Sequence, residues 1–289
     1  MTIATILAWF PADDASAAAL RSAVTVGRDF DAYVEALHVR PEVESVIPVV
    51  TGDLSAKAFG RLLEDARAKS SERAESAHRL FQDVVLELSL PMTRLDAEPE
   101  AGRFSLAWHD TTGLEAREIV RLGRRFDLTV VARPHGEEEP DASAVFTAAL
   151  FETGRPILIA PPKAPAALGR RPMVAWNDTR QAAAGLWAAM PFAARAEEVA
   201  VVSVAEGDSD PDPGAIVRAL AHHGIEAKGE VLQPGKAGIG ERLLAAAEKR
   251  GCDLLVMGAY GHSRLRELVL GGATKHVLKH AEIPLLMVH

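Results

Sequence analysis

The sequence predicts an α/β protein made of two repeated doubly wound domains, each built on a five-stranded, mostly parallel sheet. Three observations carry this expectation. Short apolar runs rich in Val, Ile and Leu alternate with longer segments of helical periodicity along the whole chain. The alternation stops in a Pro- and Ala-rich stretch from Pro161 to Arg171 and then begins again in the same order. The composition, 48% hydrophobic and 25% charged with only 5% aromatic residues, is that of a globular protein with aliphatic cores.

Ile3 to Trp9 is the first strand, broken by Pro11, and Asp13 or Asp14 caps an Ala-rich helix from about Ala15 to Gly27. Tyr33 to Val39 follows as a second strand, so the two strands are parallel and joined by a right-handed crossover. From Leu54 to Leu88 the chain is charged and free of proline. Leu62, Leu63, Ala66, Ala77, Leu80, Phe81, Val84 and Val85 recur there at helical intervals, which predicts one long amphipathic helix. Phe104 to Trp108 is a third strand, and Leu114 to Arg125 a helix with Ile119, Val120 and Leu122 inward. Leu128 to Ala132, a short helix over Ser143 to Phe151, and Ile157 to Ala160 complete the first set. Strands at Met173–Trp176, Val199–Val204, Ala227–Leu232, Leu254–Met257 and Leu285–Val288 repeat the order. Helices over Gln181–Met190, Ile216–His223, Ile239–Arg250 and after Gly272 lie between them. The expected domains are 1–162 and 170–289.

Ala175-Trp176 echoes Ala8-Trp9 at an offset of 167, whereas Asp253-Leu254 matches Asp127-Leu128 at 126. The first copy therefore carries about 41 extra residues, which the long helix accounts for. A duplicated unit of this kind packs like a fused homodimer about a pseudo-twofold axis. Each copy ends in an apolar strand whose edge needs cover, so Ile157–Ala160 and Leu285–Val288 are expected together at the seam.

A formal net charge of -8 argues against a nucleic-acid or anionic-membrane surface, which would need a basic field. The single cysteine, Cys252, excludes an intramolecular disulfide framework and a cysteine-based zinc site. No segment approaches the roughly 18 apolar residues of a membrane span, and the short N-terminal apolar run has no basic region before it. The expected location is the cytoplasm.

The chemistry concentrates between Asp253 and Leu278. There an apolar strand runs into a loop marked by Gly258, Gly261, Gly271 and Gly272, followed by a helix. Glycines let a ligand approach the backbone, and a helix N-terminus offers unpaired N–H groups and a positive dipole end, so the stretch suits a phosphate. The same glycines also serve simply as turn and cap residues, and the loop by itself leaves both readings open. His262, Arg264 and Arg266 are the nearby polar and basic side chains. The matching place in the first copy reads Arg133-Pro134-His135-Gly136 and then Glu137-Glu138-Glu139, carboxylates that repel a polyphosphate.

With its glycine spacing and tandem repeat, the chain resembles the universal stress protein family in its two-domain form. The resemblance covers essentially the whole chain and is strongest from Gly238 to His289. The family's nucleotide loop is a glycine, two residues, a glycine, nine residues, a glycine and a small hydroxyl residue. Gly258, Gly261 and Gly271 fill the glycine positions, and Gly272 stands where the hydroxyl residue is expected. The resemblance implies a Rossmann-like fold of the adenine nucleotide α-hydrolase type. It also implies a loop that wraps the phosphates of ATP or AMP, with Mg2+ as companion ion. Adenine and ribose would then lie at the ends of the first two strands, which places Trp176, Asn177, Asp178, Val204 and Met257 around them. Asn177 replaces a frequent acidic residue, His262 is a donor to phosphate, and Thr274 offers a hydroxyl in the first helical turn.

The implied role is a regulator in stress response that signals by occupancy to an unidentified protein partner, as a monomeric pseudo-dimer or a homodimer. The alternative is a structural or interaction member that binds no nucleotide. Enzyme action reduces to slow ATP hydrolysis, because there is no Walker lysine loop, G-x-S-x-G elbow or cysteine nucleophile. His276 and His280 have the spacing of a zinc pair without a third ligand.

Overall fold

A computed structural model describes residues 2–11, 14–42, 56–98, 100–133, 140–205, 211–233, 235–259 and 272–289. Gly261, His262, Arg264, Arg266 and Gly271, like the carboxylates at 137–139, lie outside the described residues. The first half contains β1 (Thr5–Trp9), α1 (Asp14–Phe30), β2 (Tyr33–Arg40), α2 (Ala56–Glu87), β3 (Ser105–Thr112), α3 (Glu115–Gly123), β4 (Leu128–Ala132), α4 (Pro140–Glu152) and β5 (Ile157–Ala160). The second contains β6 (Pro172–Ala175), α5 (Arg180–Ala188), α6 (Met190–Ala193), β7 (Val199–Val204), α7 (Pro213–Ala221), β8 (Ala227–Leu232), α8 (Ile239–Lys249), β9 (Leu254–Gly258), α9 (Gly272–His280) and β10 (Leu285–Val288).

The strands form one continuous sheet in the order β3-β2-β1-β4-β5-β10-β9-β6-β7-β8. Every neighbouring pair is parallel except β5 and β10. Read from either edge, the order is the same. Leu158 and Leu286 hold matching places in the two halves and pair directly across the seam, as a twofold axis between them requires. The expectation that the two terminal strands cover each other is met, and what covers each one is the other copy's edge.

Helices lie on both faces. Leu20 and Val24 of α1, Phe81 and Val84 of α2, Leu186 of α5, Phe192 of α6 and Leu220 of α7 share one apolar core. Ile119 and Leu122 of α3, Leu150 of α4, Leu243 of α8 and Val277 of α9 share the other. Strands buried on both faces cannot alternate apolar and polar residues, and this is why runs such as Leu-Leu-Val-Met mark them in the sequence. The third strand reaches Thr112, beyond the apolar run that ends at Trp108, because β3 pairs with β2 along its full length through His109, Asp110 and Thr111.

The register of the repeat differs from the Ala-Trp echo by one residue. Asp127 accepts from the backbone N–H groups of Ala4 and Thr5, and Asp253 accepts in the same way from Arg170 and Arg171. Thr5 thus corresponds to Arg171, and Phe10, not Trp9, corresponds to Trp176. A one-residue slip reverses the face of every side chain on a strand. Accordingly Trp9 belongs to the core beneath α3 and α4, and Trp176 to the opposite core.

Candidate functional site

In a doubly wound sheet the crevice opens where strand order reverses, outside the carboxyl ends of the strands. In the second half that point lies between β6 and β9, where Ala175 pairs with Met257. The chain leaves β6 through Trp176, whose N–H donates to Val202 O at 2.8 Å. It then turns through Asn177 and Asp178, both exposed, and enters α5. Asp178 has φ 55, in the left-handed region where Asn and Asp are the tolerated non-glycine residues. Thr179 caps the helix: its Oγ1 accepts from Ala182 N at 3.2 Å and donates to Asn177 Oδ1 at 2.7 Å. The Asn177 oxygen is therefore engaged within the loop. Among the described residues no hydrogen bond engages its amide nitrogen, so the group it presents is a donor.

The N-terminus of α5 is pressed against the end of β9. A Cβ placed on Gly258 would lie 2.4 Å from Gln181 C and 2.6 Å from Ala182 N, so the absence of a side chain there is what lets the helix backbone approach. Gly185, one turn further on, meets the carbonyl carbon of Met257 at 3.4 Å from its own ideal Cβ. A similar contact joins α8 to α9, where a Cβ on Gly240 would lie 2.7 Å from Ala273 O. The first turns of α5 and α9 thus both stand at the carboxyl edge, and helix N-termini favour negative charge there.

The residues expected to hold a ligand divide by burial. Trp176 and Met257 are core side chains on opposite faces of the sheet. Val204 ends β7, half-buried, and Thr274 is buried in the first turns of α9. Asn177, Asp178 and Gly272 are exposed, and Gly258 is half-buried. Among the described residues nothing lies within 4 Å of a Cβ built on Gly272. Sequence reasoning missed Thr179, although Asp178-Thr179 before an Ala-rich helix is a readable N-cap signal. It also missed Ser203, fully buried near the end of β7, whose Oγ has no hydrogen-bond partner among the described residues.

The corresponding place in the first half is filled by the protein itself. Phe10 stands at the Trp176 position and His38 at that of Ser203. Against them pack Trp108 of β3 and Phe81 of α2, with Phe10–Trp108 centroids 5.7 Å apart and Phe81–Trp108 centroids 4.8 Å apart. Arg73 of α2 reaches over the end of β1 and donates to Pro11 O at 3.3 Å. The long helix α2 therefore covers the strand ends of the first copy, whereas the same crossover of the second copy, from β7 to β8, carries the nine-residue α7. Elsewhere, Arg21 and Arg28 line a cleft of about 310 Å³, but both already bond to the end of α2. No described helix is long and apolar enough to cross a membrane.

Residues 170–289 match the model of the universal stress protein family. A universal stress protein of Synechocystis sp. is 37% identical over 90 residues, 30% of this chain and 30% of that protein. One from Methanocaldococcus jannaschii is 38% identical over 48 residues, 17% of this chain and 30% of that protein. The chain thus aligns with under a third of the length of either relative. Among solved structures, a universal stress protein from Archaeoglobus fulgidus covers 98% of this chain, and this chain covers 95% of it, at TM-score 0.64 and 16% identity. That likeness extends the shared fold over both halves.

Proposed function

We propose that this chain, which over residues 170–289 belongs to the universal stress protein family, binds an adenine nucleotide in its second half. ATP or AMP is the ligand, with Mg2+ accompanying the phosphates. The single observation that carries this reading is the closure of α5 onto β9 through Gly258, which aims a helix N-terminus at the head of the three-glycine loop. In this reading the phosphates lie against Gly258, Gly261, Gly271 and the first turn of α9. The Asn177 amide donates to a ribose or phosphate oxygen, Asp178 is the carboxylate available to the metal ion, and His262 donates from within the loop. Occupancy stabilises one conformation or association state of a cytoplasmic regulator and so changes its affinity for a protein partner. The first half, closed by α2, serves structure or partner binding.

A second reading, an interaction module without nucleotide, draws on Gly272 at the hydroxyl position and on the burial of Trp176, Met257 and Thr274. Calorimetry and thermal shift with ATP and AMP, with and without Mg2+, separate the two. Saturable binding supports the first reading, and no binding at millimolar nucleotide to folded protein supports the second. Gly272→Ser sharpens the comparison, because a Cβ there meets none of the described residues within 4 Å and the new hydroxyl restores the residue type of the nucleotide loop. It should raise nucleotide affinity about 5- to 10-fold, the worth of one hydrogen bond of about 1–1.5 kcal/mol. Phosphate release measured on the same samples tests for slow hydrolysis.

A further inference from the structure

We propose that His38 is an acid-operated latch for α2: neutral, it fastens the end of β1 to β2 beneath the helix, and protonated, it releases the helix from the first half. The inference is independent of nucleotide binding. His38 is 1% exposed. Its Nδ1–H donates to Phe10 O at 2.9 Å, while Nε2 is buried and has no hydrogen-bond partner among the described residues. Its ring stacks on Trp108 at 5.8 Å with an interplanar angle of 13°. On the same indole rest His78 and Phe81 of α2, at 5.3 and 4.8 Å. One aromatic cluster thus carries both the latch and the docking face of the helix.

A proton on Nε2 would create a buried N–H with no acceptor among the described residues, and a charge among aromatic rings. The surrounding charges are mixed. Asp110 of β3 attracts an imidazolium but is already paired with Arg40 of β2 at 3.0 Å. Arg40 itself and Arg73 of α2 repel it, the residue after β1 contributes the Phe10 carbonyl, and His78 of α2 stands on the same indole. Burial, the largest influence, holds His38 below the ordinary histidine value. The sign follows directly: the fold favours the neutral ring, so its contribution is complete above about pH 6.5 and is lost as pH falls below it. The element that yields is α2. β1 and β2 are held in the sheet, whereas the buried apolar stripe of α2 is Ala77, Phe81 and Val84 alone among its described residues. Its end is tied by exposed contacts, Arg21 to Glu87 and Arg28 to Leu88 O.

Hydrogen exchange on the full chain at about pH 7.5 and 5.5, corrected for intrinsic rates, tests the latch. The peptides of α2 should lose up to about tenfold in protection at the lower pH, the most that one histidine can supply over this range, while those of β1, β2 and β4 keep theirs. His38→Gln, whose amide can donate to Phe10 O without titrating, should hold α2 protected at both pH values. In the wild type, the NMR titration of His38 should coincide with the loss of α2 protection, a readout that stands even if the variant does not fold. Unchanged α2 protection would overturn the latch, as would pH dependence that survives His38→Gln. So would loss of protection across the whole first half at once, or a His38 that stays neutral through the release.

Discussion

Replacing Gly258 by Ala tests whether this glycine is required by packing. The added carbon would lie 2.4 Å from Gln181 C, 2.6 Å from Ala182 N and 2.7 Å from Gln181 Cβ. Non-bonded carbons settle at about 3.5–4 Å, so α5 would have to retreat by about 1 Å. The obstruction is helix backbone, which no rotamer change can move aside. Its neighbours Ala182 and Leu186 are buried, and Gly185 already sits against Met257. Overpacking of this kind costs about 1–3 kcal/mol, and backbone contact places this case near 3. Because φ at Gly258 lies outside the left-handed region, Ala also recovers about 0.4–1 kcal/mol by restricting the unfolded chain. The net loss is about 2 kcal/mol, a fall in Tm of about 4–8 °C. Urea denaturation followed by far-ultraviolet circular dichroism measures it, with Gly272→Ala as control, since a Cβ there meets none of the described residues within 4 Å. Equal midpoints for the wild type and Gly258→Ala would refute the packing argument. The same shift of α5 would disturb a helix N-terminus at the proposed site, so affinity and stability need to be measured on the same samples.

Leu286→Ala at the seam removes a fully buried side chain that pairs with Leu158, and it should cost about 3 kcal/mol. Because the sheet is continuous, denaturation should shift as one transition; movement of a second-half transition alone would show that the seam does not couple the halves. Tyr33 offers a pH test. Burial first, and then the charge of Glu35, which accepts its hydroxyl hydrogen at 2.9 Å, hold its phenol above the ordinary range. Since the fold favours the protonated phenol, this contribution is complete below about pH 10 and is lost as pH rises beyond it. An ultraviolet titration of the folded protein should show Tyr33 silent until the chain unfolds, and Tyr33→Phe should remove that share of the alkaline destabilisation.

The two halves share strand order and the aspartate that pins the start of the first strand, yet they differ in what lies over the strand ends. In the first half Phe10, Trp108 and Phe81 fill the space, and in the second the chain turns through Asn177 and Asp178 into a capped helix. A nucleotide reading for one half alone follows from this difference as much as from the carboxylates at 137–139.

By itself the sequence determined the fold class, the order of the elements and the duplication. Apolar runs of strand length and amphipathic helices are local patterns, and a linker rich in Pro and Ala is readable without contacts. Ile157–Ala160, Val199–Val204 and Leu285–Val288 could be bounded from it because their apolar runs end in polar or turn residues. Only the tertiary structure decided the register of the repeat. The Ala-Trp dipeptides look alike in sequence, but the hydrogen bonds of Asp127 and Asp253 place Trp9 and Trp176 on opposite faces. It likewise decided the role of Gly258 in helix packing, the closing of the first half by α2, and the burial of His38 beside Trp108. Each depends on atoms far apart in the chain, and nothing in local composition states which side chain another element will cover.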